Sequence, residues 1–123
     1  MNTEKKRPVI IGENNFLTGR LLVASLQVAG HPAIVARDGD EVIKLLDQYR
    51  PELLMLNMNL GRPSGLELLR ILHQKNGSLK ILATSAPGQA EMRAAAASLG
   101  VSAFFEIPFL PEEIRESVRM LVG

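Results

Sequence analysis

Short apolar runs alternate along this chain with longer stretches in which apolar positions recur every three or four residues. The short runs are Val9 to Gly12, Ala33 to Ala36, Leu53 to Leu56, Lys80 to Ala83 and Val101 to Phe105. Several are apolar without alternation, as strands covered on both faces of a sheet should be. Between them, Val42, Leu45, Leu46 and Tyr49 fall on one helical face, as do Leu66, Leu69 and Leu72. Met92, Ala95, Ala96 and Leu99 form a third such face, and Ile114, Val118 and Leu121 a fourth. Phe16 to Val28 is longer and more apolar, which predicts the most buried helix of the set.

The punctuation fits these elements. Gly30 and Gly100 follow helices at places suited to a left-handed cap. Ser64-Gly65-Leu66-Glu67 reads as a capping box, with the Ser64 hydroxyl taking a backbone N–H and Glu67 reaching back. Pro111 suits the first turn of the last helix, and Glu112 and Glu113 favour its positive end. Asn76-Gly77 marks a tight turn before the fourth strand.

Five strands and five helices in strict alternation, joined by short loops, imply a doubly wound α/β fold. Right-handed crossovers make the sheet parallel, with helices on both faces. Residues 1–7 are expected to be a flexible N-terminal arm and 8–123 a single domain, since no repeat or internal linker interrupts them. In such folds ligands bind beyond the carboxyl ends of the strands. That directs attention to Glu13 and Asn14, Asn57 to Asn59, Thr84 and Ser85, and Glu106 to Pro108.

Composition narrows the chemistry. The 14 basic and 13 acidic residues nearly balance, and the basic cluster Lys5-Lys6-Arg7 is read as a solvated arm with no direct role on nucleic acid. Aromatic residues are only 4%, too few for a base-stacking platform. The absence of cysteine removes disulfides, thiolate metal sites and cysteine nucleophiles together, and fits a cytoplasmic setting. No apolar run is long enough to span a bilayer.

From about Arg7 to Val122 the chain resembles a response-regulator receiver domain of two-component signalling. Pro51 to Leu60 resembles the family's third strand and following loop, and Gly65-Leu66-Glu67-Leu68-Leu69 its third helix. Ala36-Arg37-Asp38-Gly39-Asp40-Glu41 resembles its acidic glycine turn, and Gly100 to Phe109, ending Ile107-Pro108-Phe109, its fifth strand and Lys-Pro-Phe ending. The resemblance implies a flavodoxin-like sheet of strand order 2-1-3-4-5.

The resemblance also implies a chemistry, and this chain departs from it. In the family, an aspartate ending the third strand is the phosphoryl acceptor, and two acids after the first strand help it hold Mg²⁺. A lysine before the proline of the last loop pairs with the phosphoryl group, and a Ser or Thr ending the fourth strand carries the switch. Here the acceptor position is Asn57, the acid pair is Glu13-Asn14, with the direct metal position on Asn14, and the lysine position is Ile107. Thr84 keeps its family role, Phe104 takes the switch-aromatic position, and Asn59 can offer a backbone carbonyl. Three carboxylates and one lysine, formally −2 in the family, become Glu13 alone, formally −1. The site is read as dead toward phosphorylation, with no catalytic residue and with Mg²⁺ binding weak or absent. Asn57 is then a satisfied polar group at a strand end, and Glu13 a solvated acid.

What remains is a non-enzymatic signalling module, a pseudo-receiver working by protein contact. The family's docking face, built from the fourth helix, fifth strand and fifth helix, carries Glu91, Arg93, Arg115, Glu116 and Arg119. The partner expected there is a kinase, an output domain or another signalling protein, and a homodimer is compatible with the same face. Val122-Gly123 falls where a linker to an output domain would begin. His31 and His73 are expected on the surface, remote from the strand ends. Two rival readings stand beside this one: a divergent regulator still switched by a phosphoryl-like or other small ligand, and a flavodoxin-like protein binding nucleotide or flavin. Gly12 to Gly19 lacks the spacing of a phosphate loop, which weakens the second.

Overall fold

In a computed structural model, residues 7–75 and 77–122 are described; Lys5, Lys6 and Asn76, and with them most of the expected arm and the Asn76-Gly77 turn, lie outside them. The elements run β1 (Val9–Gly12), α1 (Phe16–Val28), β2 (Ala33–Ala36), α2 (Gly39–Tyr49), β3 (Leu53–Asn57), α3 (Gly65–Gln74), β4 (Lys80–Ser85), α4 (Ala90–Ser98), β5 (Ala103–Glu106) and α5 (Pro111–Val122). The strands form one sheet in the order β2-β1-β3-β4-β5, with every pairing parallel. The doubly wound fold expected from the alternation is therefore the one adopted.

Period-two geometry divides the central strands between two cores. Ile10, Leu54, Leu56 and Ala83 face Val42, Leu68, Leu69 and Ala96 of α2, α3 and α4. Val9, Ile11, Leu53, Met55 and Leu82 face Leu22 and Leu26 of α1 and Ile114 and Val118 of α5. Strands β1 and β3 are buried throughout, whereas the edge strands β2 and β5 are mostly half-buried. Phe104 packs with the first core and Phe105 with the second, so adjacent aromatics serve opposite faces of β5.

Both glycine caps close Schellman motifs. Gly30 and Gly100 adopt φ of 88° and 86°. At the first, the N–H groups of Gly30 and His31 donate to Gln27 O and Leu26 O; at the second, those of Gly100 and Val101 donate to Ala97 O and Ala96 O. This second motif corrects the strand read from Val101. The Val101 N–H is committed to the helix behind it, so β5 begins only at Ala103. The Ser64 cap also differs in detail. Its hydroxyl accepts from the Glu67 N–H at 3.2 Å, but Glu67 returns to that hydroxyl rather than to a backbone N–H.

The burial expected of α1 is corrected as well. Only Gly19, Leu22 and Leu26 are buried, while Phe16, Leu17, Leu21 and Val28 are exposed. A helix lying on a sheet hides one stripe, and nothing in this fold covers the outer side of α1. Arg7, the described member of the basic cluster, is tied to the α2–β3 turn: it donates to Arg50 O at 2.7 Å and meets Glu52 at 3.2 Å.

Candidate functional site

Strands β1, β3 and β4 deliver their last residues to one crevice. Asn57 closes β3 and stands in register with Thr84 of β4, and the Met58 N–H donates to Thr84 O at 2.7 Å. Glu13 follows β1, with its N–H donating to Ala36 O at the end of β2. The strands run one and two residues beyond the expected Leu56 and Ala83, and this added length carries Asn57 and Thr84 into the sheet.

The crevice is closed by hydrogen bonds from amides. Asn57 Nδ2 donates to Glu13 Oε1 and Oε2 at 3.2 and 3.1 Å, and Asn57 Oδ1 accepts from the Asn59 N–H at 2.9 Å. Chemistry fixes this orientation of the amide. The reverse would set Oδ1 against a carboxylate and Nδ2 against a backbone donor. Glu13 Oε2 also accepts from the Asn15 N–H at 3.0 Å. Glu13 is thus no solvated acid: only 3% exposed, it is held by two amides just before the amino-terminal end of α1. Asn57, 8% exposed, is satisfied at both ends of its side chain, as expected.

The remaining residues divide. Thr84 and Ser85 are buried beside Asn57, and the Ser85 hydroxyl donates to Ala86 O at 3.0 Å. Asn14 is exposed, and the acidic member of the pair, Glu13, is the residue that reaches Asn57. Ile107 is half-buried, and its N–H donates to Ser85 O at 2.8 Å, so its place in the loop is set by backbone. Among the described residues, no three His, Cys, Asp or Glu side chains converge as metal ligands would. One contributor was missed from sequence, and another, Asn59, was expected to act only through its backbone carbonyl. Asn15 caps α1 by accepting from the Thr18 N–H at 2.9 Å, a role its place before an apolar helix foreshadows. Asn59 reaches toward the Ala86 N–H with its side-chain oxygen at 3.5 Å, spanning the loops after β3 and β4.

The expected docking face holds together only in part. The Arg93 guanidinium lies 5.2 Å from the centre of the Phe104 ring, joining α4 to β5. Glu91 is exposed, and Glu116 and Arg119 form an exposed pair on α5. Arg115 departs from this group. Its guanidinium donates to Ser25 Oγ at 2.9 Å across the α1–α5 seam, because it sits on the flank of α5 turned toward α1. His73 is exposed as expected, but His31 is buried. It follows Gly30 in the Schellman motif, where the residue beyond the glycine packs back on its helix. A cavity of about 510 Å³ lined by Leu46, Arg50, Leu72, His73, Leu79 and Leu99 opens at the other end of the sheet, away from Asn57.

Sheet order and crevice together define a flavodoxin-like α/β domain with one polar site at its carboxyl strand ends. Residues 9–119 match the response regulator receiver domain, and the chain belongs to that family. It is similar to the alkaline phosphatase synthesis transcriptional regulatory protein PhoP of Bacillus subtilis, at 28% identity over 96% of this chain and 48% of that protein. It is also similar to the response regulator MprA of Mycobacterium leprae, at 31% identity over 80% of this chain and 43% of that protein. The chain therefore spans about half the length of the curated relatives it matches. In fold it is similar to the receiver domain of the Francisella response regulator 1452, with a TM-score of 0.87, 20% identity and coverage of 94% and 96% of the two chains. The Vibrio cholerae chemotaxis protein CheY4 superposes with a TM-score of 0.85 at 18% identity, covering 96% of this chain and all of that one. Among the described residues, no helix is long and apolar enough to cross a membrane.

Proposed function

We propose that this receiver domain is a pseudo-receiver, a cytoplasmic signalling module that acts by protein contact and is not controlled by phosphorylation. The observation that carries this reading is the Asn57–Glu13 hydrogen bond. An amide at the end of β3 supplies no anionic oxygen to attack a phosphoryl donor. It also satisfies the Glu13 carboxylate by hydrogen bonds, without a cation. Two carboxylates this close would need a cation between them, whereas an amide and a carboxylate bond directly. Both oxygens of Glu13 are engaged by N–H groups, which leaves a poor donor set for a hard divalent cation such as Mg²⁺. Ile107 at the lysine position adds no phosphoryl partner.

The partner in this reading is another signalling protein, a kinase or an output domain, docking on the α4–β5–α5 face around Glu91, Arg93, Glu116 and Arg119. The likeness to longer regulators supports an output domain as one such partner.

The test is an amide NMR titration with Mg²⁺ followed by beryllofluoride, a mimic of the phosphoryl group, with labelling by a small phosphodonor in parallel. Unchanged resonances at Asn57, Thr84 and Phe104, and no label, are the expected results. Saturable shifts running from Asn57 through Thr84 into β5 would overturn the proposal.

A further inference from the structure

We infer that the cavity between α2, α3 and α4, at the amino-terminal end of the sheet, is a binding site for a small amphipathic carboxylate: a short alkyl chain with one anionic head. Its volume of about 510 Å³ lies within the range of about 300–1,000 Å³ in which a pocket encloses most of a small ligand. The floor is apolar, formed by Leu46 of α2, Leu72 of α3, Leu79 and Ile81 around the start of β4, and Leu99 after α4. These side chains are buried or half-buried, whereas the charged residues of the lining are exposed and form the mouth. There Arg7, Arg50 and Lys75 stand against one acid, Asp47.

The fold does not use all of these cations. Arg7 is engaged by Arg50 O and Glu52. Among the described residues, the side chains of Arg50 and Lys75 make no hydrogen bond or ion pair. Three helices end at this mouth, and the negative ends of their dipoles favour cations. Their closing carbonyls, however, are already served by backbone: the N–H groups of Arg50, Lys75 and Gly100 donate to Leu46 O, Leu72 O and Ala97 O. Both side chains are therefore left for a ligand. Arg50 adds an independent sign. Its φ of 46° is the one positive value outside glycine among the described residues. Glycine is the usual occupant of such a cap, because it has no Cβ to crowd the backbone. Strain kept at a residue whose side chain has no partner within the protein points to a partner outside it.

The two halves of the site select the two halves of the ligand. A guanidinium presents a planar fork that matches a carboxylate, and the Lys75 ammonium adds a point charge beside it. The apolar floor favours an alkyl chain over a free inorganic anion. The cationic mouth favours an acid over an alcohol or an amine of the same length. The cavity lies at the opposite end of the sheet from Asn57, so its occupancy does not depend on the chemistry of that crevice.

Amide NMR titrations of the whole chain with octanoate, octanol and octylammonium test the inference. Octanoate should give saturable shifts at Leu46, Leu72, Leu79 and Leu99 and none at Asn57, with a Kd of roughly 1 mM for so small a ligand. Octanol should bind about tenfold more weakly, for want of the charge-assisted hydrogen bond, and octylammonium should not bind. Arg50→Gly removes the guanidinium and relieves the positive φ. It should keep the native circular dichroism spectrum and melt no lower than the native chain, while losing about tenfold in affinity for octanoate. Lys75→Ala, at an exposed site, should also weaken octanoate binding without touching the strained residue. No saturable shift in the millimolar range, equal affinity for the three probes, or native affinity in the folded Arg50→Gly and Lys75→Ala chains would overturn the proposal.

Discussion

The Asn57 side chain holds both oxygens of the Glu13 carboxylate, at 3.2 and 3.1 Å, across a crevice where both residues are buried. The pair joins the ends of β1 and β3, which are 44 residues apart in sequence. A charged group buried without partners is costly, but here the amide and the Asn15 N–H both donate to it. The crevice is thereby closed by the protein's own groups.

Asn57→Asp should turn that attraction into repulsion. Two ionised carboxylates about 3 Å apart cannot both remain charged at no cost, and the variant also loses its donor. A destabilisation of about 2–4 kcal/mol near neutral pH is expected in chemical denaturation, since the change breaks a buried charge-assisted hydrogen bond. The sign with pH follows. The new carboxyl is harder to ionise when folded, so the deficit is fully present well above the ordinary carboxylate value of about 4 and shrinks as pH falls toward it. Millimolar Mg²⁺ should recover part of the loss in the variant and leave the native chain unchanged. Equal stability of the two proteins at neutral pH without Mg²⁺ would show that the pair contributes little.

The fold was largely legible because its signals are local. Gly30 and Gly100 need positive φ, and the apolar runs of β1 and β3 need cover on both faces. The site was legible in membership, since topology alone sends Glu13, Asn57 and Thr84 to the strand ends. Its internal pairing was not. Whether Glu13 faces solvent or Asn57 depends on how β1 and β3 lie against one another, which no local pattern encodes. Arg115 shows the same limit: the position of α5 along α1, rather than any feature of the helix itself, brings its guanidinium to Ser25. For α1, apolar character does not amount to burial, because a two-sided apolar helix on a single sheet can bury only one side, here that of Gly19, Leu22 and Leu26.

The loop after β3 depends on a close approach at Gly65. A Cβ there would lie 2.6 Å from Met58 Cα and 2.7 Å from Met58 O, backbone atoms that cannot step aside without moving Asn57. Gly65→Ala should therefore cost about 1–3 kcal/mol and shift the amide resonances of Asn57 and Asn59. Gly61, in the same loop, has nothing within 4 Å of an added Cβ, so Gly61→Ala should stay within about 0.5 kcal/mol of the native chain. Equal effects at the two sites would refute the packing account.

Arg115 and Ser25 should behave as a coupled pair. Each single alanine substitution removes the 2.9 Å hydrogen bond between α1 and α5, and the double variant removes it once more for no further loss. A coupling energy of about 0.5–1.5 kcal/mol is expected from the four-variant cycle. Additive losses would mean that the bond is not held in solution.

Glu116 and Arg119 predict the opposite of a structural pair. The Arg119 guanidinium, by hydrogen bond and then by charge, holds the Glu116 carboxyl below its usual range, and Glu116 in turn raises Arg119. A carboxyl with a lowered folded value stabilises the native state above its unfolded value, and that contribution is lost as pH falls through the folded one. Any effect thus belongs to the acid side, below about pH 4. Both side chains are more than half exposed, so water and salt screen the pair. Arg119→Ala should leave thermal stability at neutral pH unchanged and should abolish the depressed titration of Glu116 in carboxyl NMR, with added salt weakening that depression in the native chain. A clear fall in melting temperature at neutral pH would show that Arg119 contributes to the fold as well as to the surface, and would weaken the case for this face as a free docking surface.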